Sequence, residues 1–278
     1  MYKIRPPKIA AVDAYTASTD SIKNVEARKD YQSCKNEIKE KCNTYNVLGT
    51  TAKFETARQS SFLVTSLASP KMQELYDKQF SKNKGTKKLR DTIKSGAKNN
   101  LCPYCGIGFI SQLDHYLPKS EFHAVTVHPL NLVPACADCN TVKSAYVPSS
   151  GSPAVFHPYF DTAFDIAWLE ATLERGHGDH AVAKFSVNSK IEDAHLRSRM
   201  MQHLGVFGLK NRFSSFASQL IQEFETFYRN SPQKLTLEST RHYLEVSMHV
   251  ASSVTRNSCK AATYQAMLIS PWYLKSLR

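Results

Sequence analysis

Two Cys-x-x-Cys turns, Cys102/Cys105 and Cys136/Cys139, constrain this chain more than any other feature. A turn of that spacing lets two thiolates converge on one ion, and two such turns supply the four soft ligands of a closed tetrahedral zinc site. Two disulfides or a redox-active pair are the alternatives. The sequence has no secretory context to favour them, and paired Cys-x-x-Cys is a metal signal. Thirty residues separate Cys105 from Cys136, so the loop between the pairs must carry structure of its own.

That loop is rich in side chains suited to chemistry. Residues 107–116 read as a short strand ending in Asp114-His115-Tyr116. Val125, Val127 and Leu130 suggest a second strand, and Pro134-Ala135-Cys136 leads into a helix through Asp138 to Lys143, giving the order β-β-α. Adjacent Asp114 and His115 would point to opposite faces of a strand unless a bulge or turn re-aims one. Asn140 sits at the start of the helix. Phosphodiester hydrolysis needs a group that accepts a proton from water near neutral pH, as histidine does. It also needs positive charge at the phosphate, as a hard divalent cation provides. Asp114 and Asn140 are oxygen ligands of the kind Mg²⁺ or Mn²⁺ takes. A softer ion would bring in His123 or His128. On its own, His115 would read as a core histidine. Beside Asp114 in this frame it reads as a general base.

The string DHxxPxS, then Asn131-Leu132, then CxxCNxxK over 102–143 resembles the HNH, or ββα-metal, nucleases. Asn140 stands where many members have His, which is closer to phage Holliday-junction resolvases of the endonuclease VII type. The resemblance implies a structural zinc on Cys102, Cys105, Cys136 and Cys139, and a catalytic Mg²⁺ or Mn²⁺ held by Asp114 and Asn140. It also implies water activation by His115 and a site oriented by Asn131. The expected fold class is α+β and mostly helical: a central ββα-metal module with a zinc knuckle, flanked by helical N-terminal and C-terminal regions.

The chain carries 36 Lys+Arg against 24 Asp+Glu, and the excess is uneven. Residues 1–100 hold 20 basic and 10 acidic residues, whereas residues 101–150 hold 2 and 3. A charge run of this kind is ordinarily a solvated face. Next to a nuclease motif, Lys84, Lys87, Lys88, Arg90, Lys94 and Lys98 become candidate phosphate contacts, together with Lys119 and Lys143 of the module. DNA is the expected partner, with RNA as an alternative. No apolar run reaches a membrane span, the first residues have no apolar leader segment, and no P-loop or glycine-rich nucleotide fingerprint is present. A cytoplasmic protein without membrane contact or nucleotide cofactor is therefore expected.

Three regions follow: a basic helical region over 1–100, the nuclease module over 101–148, and a β-hairpin with helices over 149–278. In the first, Pro6-Pro7 reads as extended and the chain as loop-like to residue 19. A helix from Asp20 or Ser21 to about Tyr45 carries the stripe Tyr31, Cys34, Ile38, Cys42, Tyr45. Further helices are expected at 53–67, from Pro70, and around Leu89 and Ile93. In the last region, 166–174 and 181–187 read as a hairpin whose turn holds His177 and His180, exposed turn residues rather than ligands. Phe213, Phe216, Leu220, Phe224 and Phe227 form a core-facing helical stripe. Tyr243, Leu244, Val250, Ala251 and Val254 point inward from a later helix. The layout also resembles HNH proteins of bacterial anti-phage operons of the Septu and retron types, which implies a partner ATPase subunit. Three functions follow: a DNA endonuclease, a non-catalytic zinc-stabilised nucleic-acid-binding module, or a nuclease subunit silent until an ATPase releases it.

Overall fold

A computed structural model describes residues 1–231 and 235–277, the side chain of Asp179 excepted. The chain divides into two compact units. One comprises residues 3–104 and 108–161, the other residues 1–2, 105–107 and 162–278. No described helix is long and apolar enough to cross a membrane.

The first unit opens with α1 (Ala11–Asp20), in a region expected to be loop. Its N-cap residue, Ala10, makes no side-chain bond, and its buried residues are Ala14, Tyr15, Ser18 and Thr19. A count of large apolar side chains passes over such a face. Ser18 makes it possible by donating its hydroxyl to the Ala14 carbonyl at 2.7 Å. The expected helix over 20–45 is two helices, α2 (Val25–Ser33) and α3 (Lys35–Thr50). Asn24 caps α2, its side chain accepting from Ala27 N at 2.9 Å. At the break, the Tyr31 carbonyl would take the Lys35 N–H in a continuous helix. Here it accepts from the Tyr15 hydroxyl at 2.7 Å and from Cys34 N at 3.1 Å. A tertiary contact from α1 therefore ends α2. The stripe itself holds: Tyr31, Cys34, Ile38, Cys42 and Tyr45 are all buried. Gly49, in the last turn of α3, is required because a Cβ there would run into the Phe160 ring.

Residues 53–67 are not a helix but two 3₁₀ turns, Phe54–Thr56 and Gln59–Phe62. Phe54 and Phe62 are buried, while the Arg-Gln-Ser-Ser run between them faces water and has little packing to hold a longer helix. Pro70 does open α4 (Ser69–Glu74), which continues as a π-helical turn over Leu75–Phe80. The short basic helix α5 (Lys87–Lys94) follows, with Ile93 buried.

The module has the expected β-β-α order. β1 (Gln112–His115) pairs antiparallel with β2 (Leu132–Ala135), aligning Asp114 with Val133 and His115 with Leu132. Helix α6 spans Ala137–Lys143. The second strand lies later than Val125–Leu130, and Val125 belongs to a 3₁₀ turn. All four β2 residues are buried, so no alternation marks the strand, and Pro134 argues against it in sequence. Residues 157–161 pack on the module: Tyr159 donates to the Leu132 carbonyl at 2.8 Å, and His157 meets Tyr116 at 4.2 Å between ring centroids.

The second unit is built on the hairpin β3 (Leu169–Arg175) and β4 (Ala181–Val187). Among the described residues five helices follow: α7 (Ala194–Val206), α8 (Leu209–Asn230), α9 (Leu237–Val254), α10 (Cys259–Ile269) and α11 (Pro271–Ser276). Buried Asn257 fixes the entry to β3, accepting from Trp168 N at 2.9 Å and Leu169 N at 3.2 Å. Phe213, Leu220 and Phe224 face the core as expected, but Phe227 is exposed. The expected inward face of α9 is also corrected. Leu244 is buried, whereas Val250 and Val254 are exposed, and Tyr243, though partly exposed, packs its ring against Phe224 and Phe227 of α8. The buried residues of the helix are Thr240 and Leu244, and periodicity alone does not say which of its two apolar lines is chosen. His177 and His180 are exposed in the hairpin turn.

Candidate functional site

The four thiols of Cys102, Cys105, Cys136 and Cys139 are buried, and their sulfurs all lie within 4.8 Å of one another. A tetrahedral zinc with thiolates about 2.3 Å away would separate its sulfurs by about 3.8 Å, so the quartet fits that ion. None of the seven cysteines is in a disulfide. Among the described residues, no other group of three or more His, Cys, Asp or Glu could hold a metal. Cys136 caps α6, its sulfur accepting from Cys139 N at 3.5 Å. The knuckle thereby fixes the start of the helix that carries Asn140.

Next to β1 lies a cavity of about 560 Å³ whose lining includes Tyr76, Arg90, Lys94, Gln112, Asp114, His115, Lys119 and Asn140. Asp114 and His115 both reach it although adjacent on β1, because His115 is the last residue of the strand. The His115 Nε2–H donates to the Thr126 carbonyl at 2.8 Å. This leaves Nδ1 without a partner among the described residues, as the lone-pair nitrogen. Burial drives the imidazole pKa down from 6.5 to about 3, assisted by the charges of Lys119 and Lys143 and opposed by the Thr126 carbonyl. The ring is therefore neutral across the physiological range, with its Nδ1 lone pair unprotonated.

Asp114 is buried. Its carboxylate accepts from the Tyr104 hydroxyl at 2.9 Å and from the Lys143 ammonium at 3.2 Å. Burial raises the Asp114 pKa and lowers that of Lys143, and their pairing opposes both shifts. Lys143 also donates to the His115 carbonyl at 2.6 Å, tying α6 to the end of β1. Its expected place on a nucleic-acid surface is corrected, since its side chain is fully buried and neutralises Asp114 from behind the cavity wall. The Asn140 amide nitrogen donates to Gln112, which leaves Oδ1 unpartnered among the described residues. A carboxylate offers about four lone-pair sites, so Asp114 retains capacity beside Tyr104 and Lys143. Asp114 and Asn140 Oδ1 are hard oxygen donors on one cavity, a set that fits Mg²⁺ or Mn²⁺.

Asn131 does not reach the cavity. Fully buried, it accepts from Leu117 N at 2.8 Å and donates to the carbonyls of Leu117 at 3.0 Å and Val125 at 3.1 Å. It closes the loop that brings Thr126 to His115. His123 and His128 bond elsewhere, His123 to the Lys119 carbonyl at 3.1 Å and His128 to Asn46 at 2.9 Å.

The basic run divides along α5. Lys84, Lys87 and Lys88 are exposed and line a separate shallow hollow. Arg90 and Lys94, one turn apart, line the cavity. Lys94 donates to the Ser111 carbonyl at 2.9 Å, and Lys119 pairs with Asp77. Lys98 is exposed on a 3₁₀ turn. Tyr76 is a cavity residue outside the sequence expectation. Its ring stands edge-on to His115 at 4.3 Å. The signal for it is the π-helical turn, which no apolar spacing reveals.

Residues 102–145 match the HNH endonuclease family. Over 204 residues the chain is 30% identical to protein ea31 of Escherichia phage lambda, covering 67% of this chain and 66% of that protein. No solved structure matches.

Proposed function

We propose, from the HNH endonuclease domain this chain carries at residues 102–145, that it hydrolyses phosphodiester bonds in DNA with the help of a divalent cation. The observation that carries the reading is the state of His115. Its Nε2–H is fixed on the Thr126 carbonyl, its Nδ1 is unpartnered, and it shares a cavity with Asp114 and Asn140. In this mechanism His115 Nδ1 takes a proton from the attacking water. Asp114 and Asn140 would hold Mg²⁺ or Mn²⁺, which when bound supplies positive charge to the phosphate and the leaving oxygen. Tyr104 and Lys143 hold the Asp114 carboxylate in one orientation, as the partners of metal ligands do. Asn131 positions the loop that supplies Thr126. The knuckle cysteines carry a structural zinc and take no part in the chemistry. Retention of both Asp114 and His115 in the cavity supports an enzyme over a purely binding module. The partner ATPase and the anti-phage role rest on the resemblance of the layout.

The test is nicking of supercoiled plasmid with Mg²⁺, Mn²⁺ or EDTA. Cleavage is expected with either cation and lost in EDTA. His115→Ala is expected to lose a factor of about 10² to 10⁴, the worth of a positioned general base, while still binding DNA. Undiminished cleavage by His115→Ala would remove it from the mechanism.

A further inference from the structure

Two cavity residues lie outside the matched 102–145 stretch and come from the helical region before it: Tyr76 on the π-helical turn, and Arg90 on α5. Arg90 is anchored through a single nitrogen. Its Nη1 donates to the carbonyls of Phe80 and Asn83 and, at 2.7 Å, to the Thr86 hydroxyl. No described residue partners its Nη2 or Nε. A guanidinium immobilised in this way has already met the ordering cost of binding, and its remaining N–H groups form a fork matched to two oxygens of a phosphate.

The Tyr76 hydroxyl likewise has no hydrogen-bond partner among the described residues. Its ring is fixed between His115, at 4.3 Å, and Phe80, at 5.7 Å. π-helical turns are rare and recur at functional sites. This one also carries Asp77, which neutralises Lys119. Burial holds the phenol pKa up to about 12, so it is a donor at neutral pH. Two donors lacking acceptors therefore share a wall with the proposed base.

We propose that Tyr76 and Arg90 complete the nuclease site as a scissile-phosphate cradle, Arg90 gripping non-bridging oxygens and the Tyr76 hydroxyl donating to the phosphate as charge builds during attack. This deepens the nuclease reading and rests on it for the chemistry, though not for phosphate binding. The donors sit where negative charge would grow, the arrangement that lowers such barriers.

The experiment compares full-length Tyr76→Phe, Arg90→Lys and, as a surface control, Lys39→Ala, an exposed lysine of α3. Circular dichroism and melting temperature confirm folding, since Arg90 also ties the turn together. Tyr76→Phe keeps the ring and removes one donor, so kcat is expected to fall by on the order of 10² at nearly unchanged KM. Arg90→Lys keeps the charge but loses the fork, and is expected to raise KM and lower kcat together. Full activity in either variant overturns the role of the residue it replaces. A second readout is equilibrium binding of a short DNA duplex in EDTA, in which Arg90→Lys should lose about tenfold more affinity than Lys39→Ala. Should the wild-type chain cleave nothing, a selective loss of affinity in Arg90→Lys sustains the cradle while the nuclease reading fails. Equal affinities overturn the cradle.

Discussion

At the scale of single residues, the buried pair of Asp114 and Lys143 sets the limits on the site. Removing one member of such a pair leaves an uncompensated charge in the interior, at a cost of about 3–5 kcal/mol. Lys143→Met is therefore expected to lower the urea midpoint sharply. The double variant Asp114→Asn, Lys143→Met should recover much of that loss although it gains no activity. A double variant no more stable than Lys143→Met would show that the pair is not the source. His128 supplies a pH signature. It is buried, its Nδ1 has no partner among the described residues, and burial holds its pKa at about 3. The unfolded chain takes that proton near 6.5, the folded chain only near 3. Between those values the unfolded state binds more protons, so stability falls as pH drops through the window. The slope is at most about 1.4 kcal/mol per pH unit for each such group. Urea melts of His128→Leu should show a shallower acid decline than wild type. Parallel declines would mean that His128 is protonated when folded.

At the scale of elements, the basic residues in and just before α5 divide between two faces. Arg90 and Lys94 turn to the cavity, while Lys84, Lys87 and Lys88, at or beside its start, remain in solvent. The second group is suited to sequence-independent contact with the phosphate backbone, where each neutralised phosphate adds about 0.9 to the slope of log affinity against log salt on duplex DNA. Charge reversal of Lys84, Lys87 and Lys88 together should flatten that slope and leave single-turnover cleavage at saturating enzyme unchanged. An unaltered slope would return the three lysines to a plain solvated face. The loop from β1 to β2 is the other decisive element. Asn131 ties it at Leu117 and Val125, and so sets the tautomer of His115 through Thr126.

At the scale of the whole molecule, a zinc held by the cysteine quartet would couple metal to folding. Zinc binding requires a folded site, so its binding energy becomes folding energy. Metal analysis is expected to find about one zinc per chain, and Cys136→Ser is expected to lower thermal stability and zinc content together. A zinc-free chain with unchanged melting temperature would refute a structural metal. Cysteine burial elsewhere is ordinary packing: Cys42 and Cys259 sit in the core, where burial drives both thiols up to about 12.

The sequence by itself determined the parts of this protein whose chemistry is local. The paired Cys-x-x-Cys turns, the β-β-α order, the Asp114-His115 pair and the buried stripe from Tyr31 to Tyr45 were all legible there. In each case the signal is a spacing or a side-chain type within one element. Only the tertiary structure decided what depends on a distant partner. The Tyr15 hydroxyl ends α2 by occupying the Tyr31 carbonyl, and Ala, Ser and Thr side chains bury α1 without an apolar pattern. The strand Leu132–Ala135 is buried on both faces and so carries no alternation. Lys143 reads as a surface cation until Asp114 is seen to neutralise it in the interior. Tyr76 and Arg90 reach the cavity across the chain from the motif, because a π-helical turn aims one and three oxygen acceptors anchor the other. A spacing along one element can be read from its order of residues, whereas the choice of which face meets which partner is settled by packing the whole unit at once.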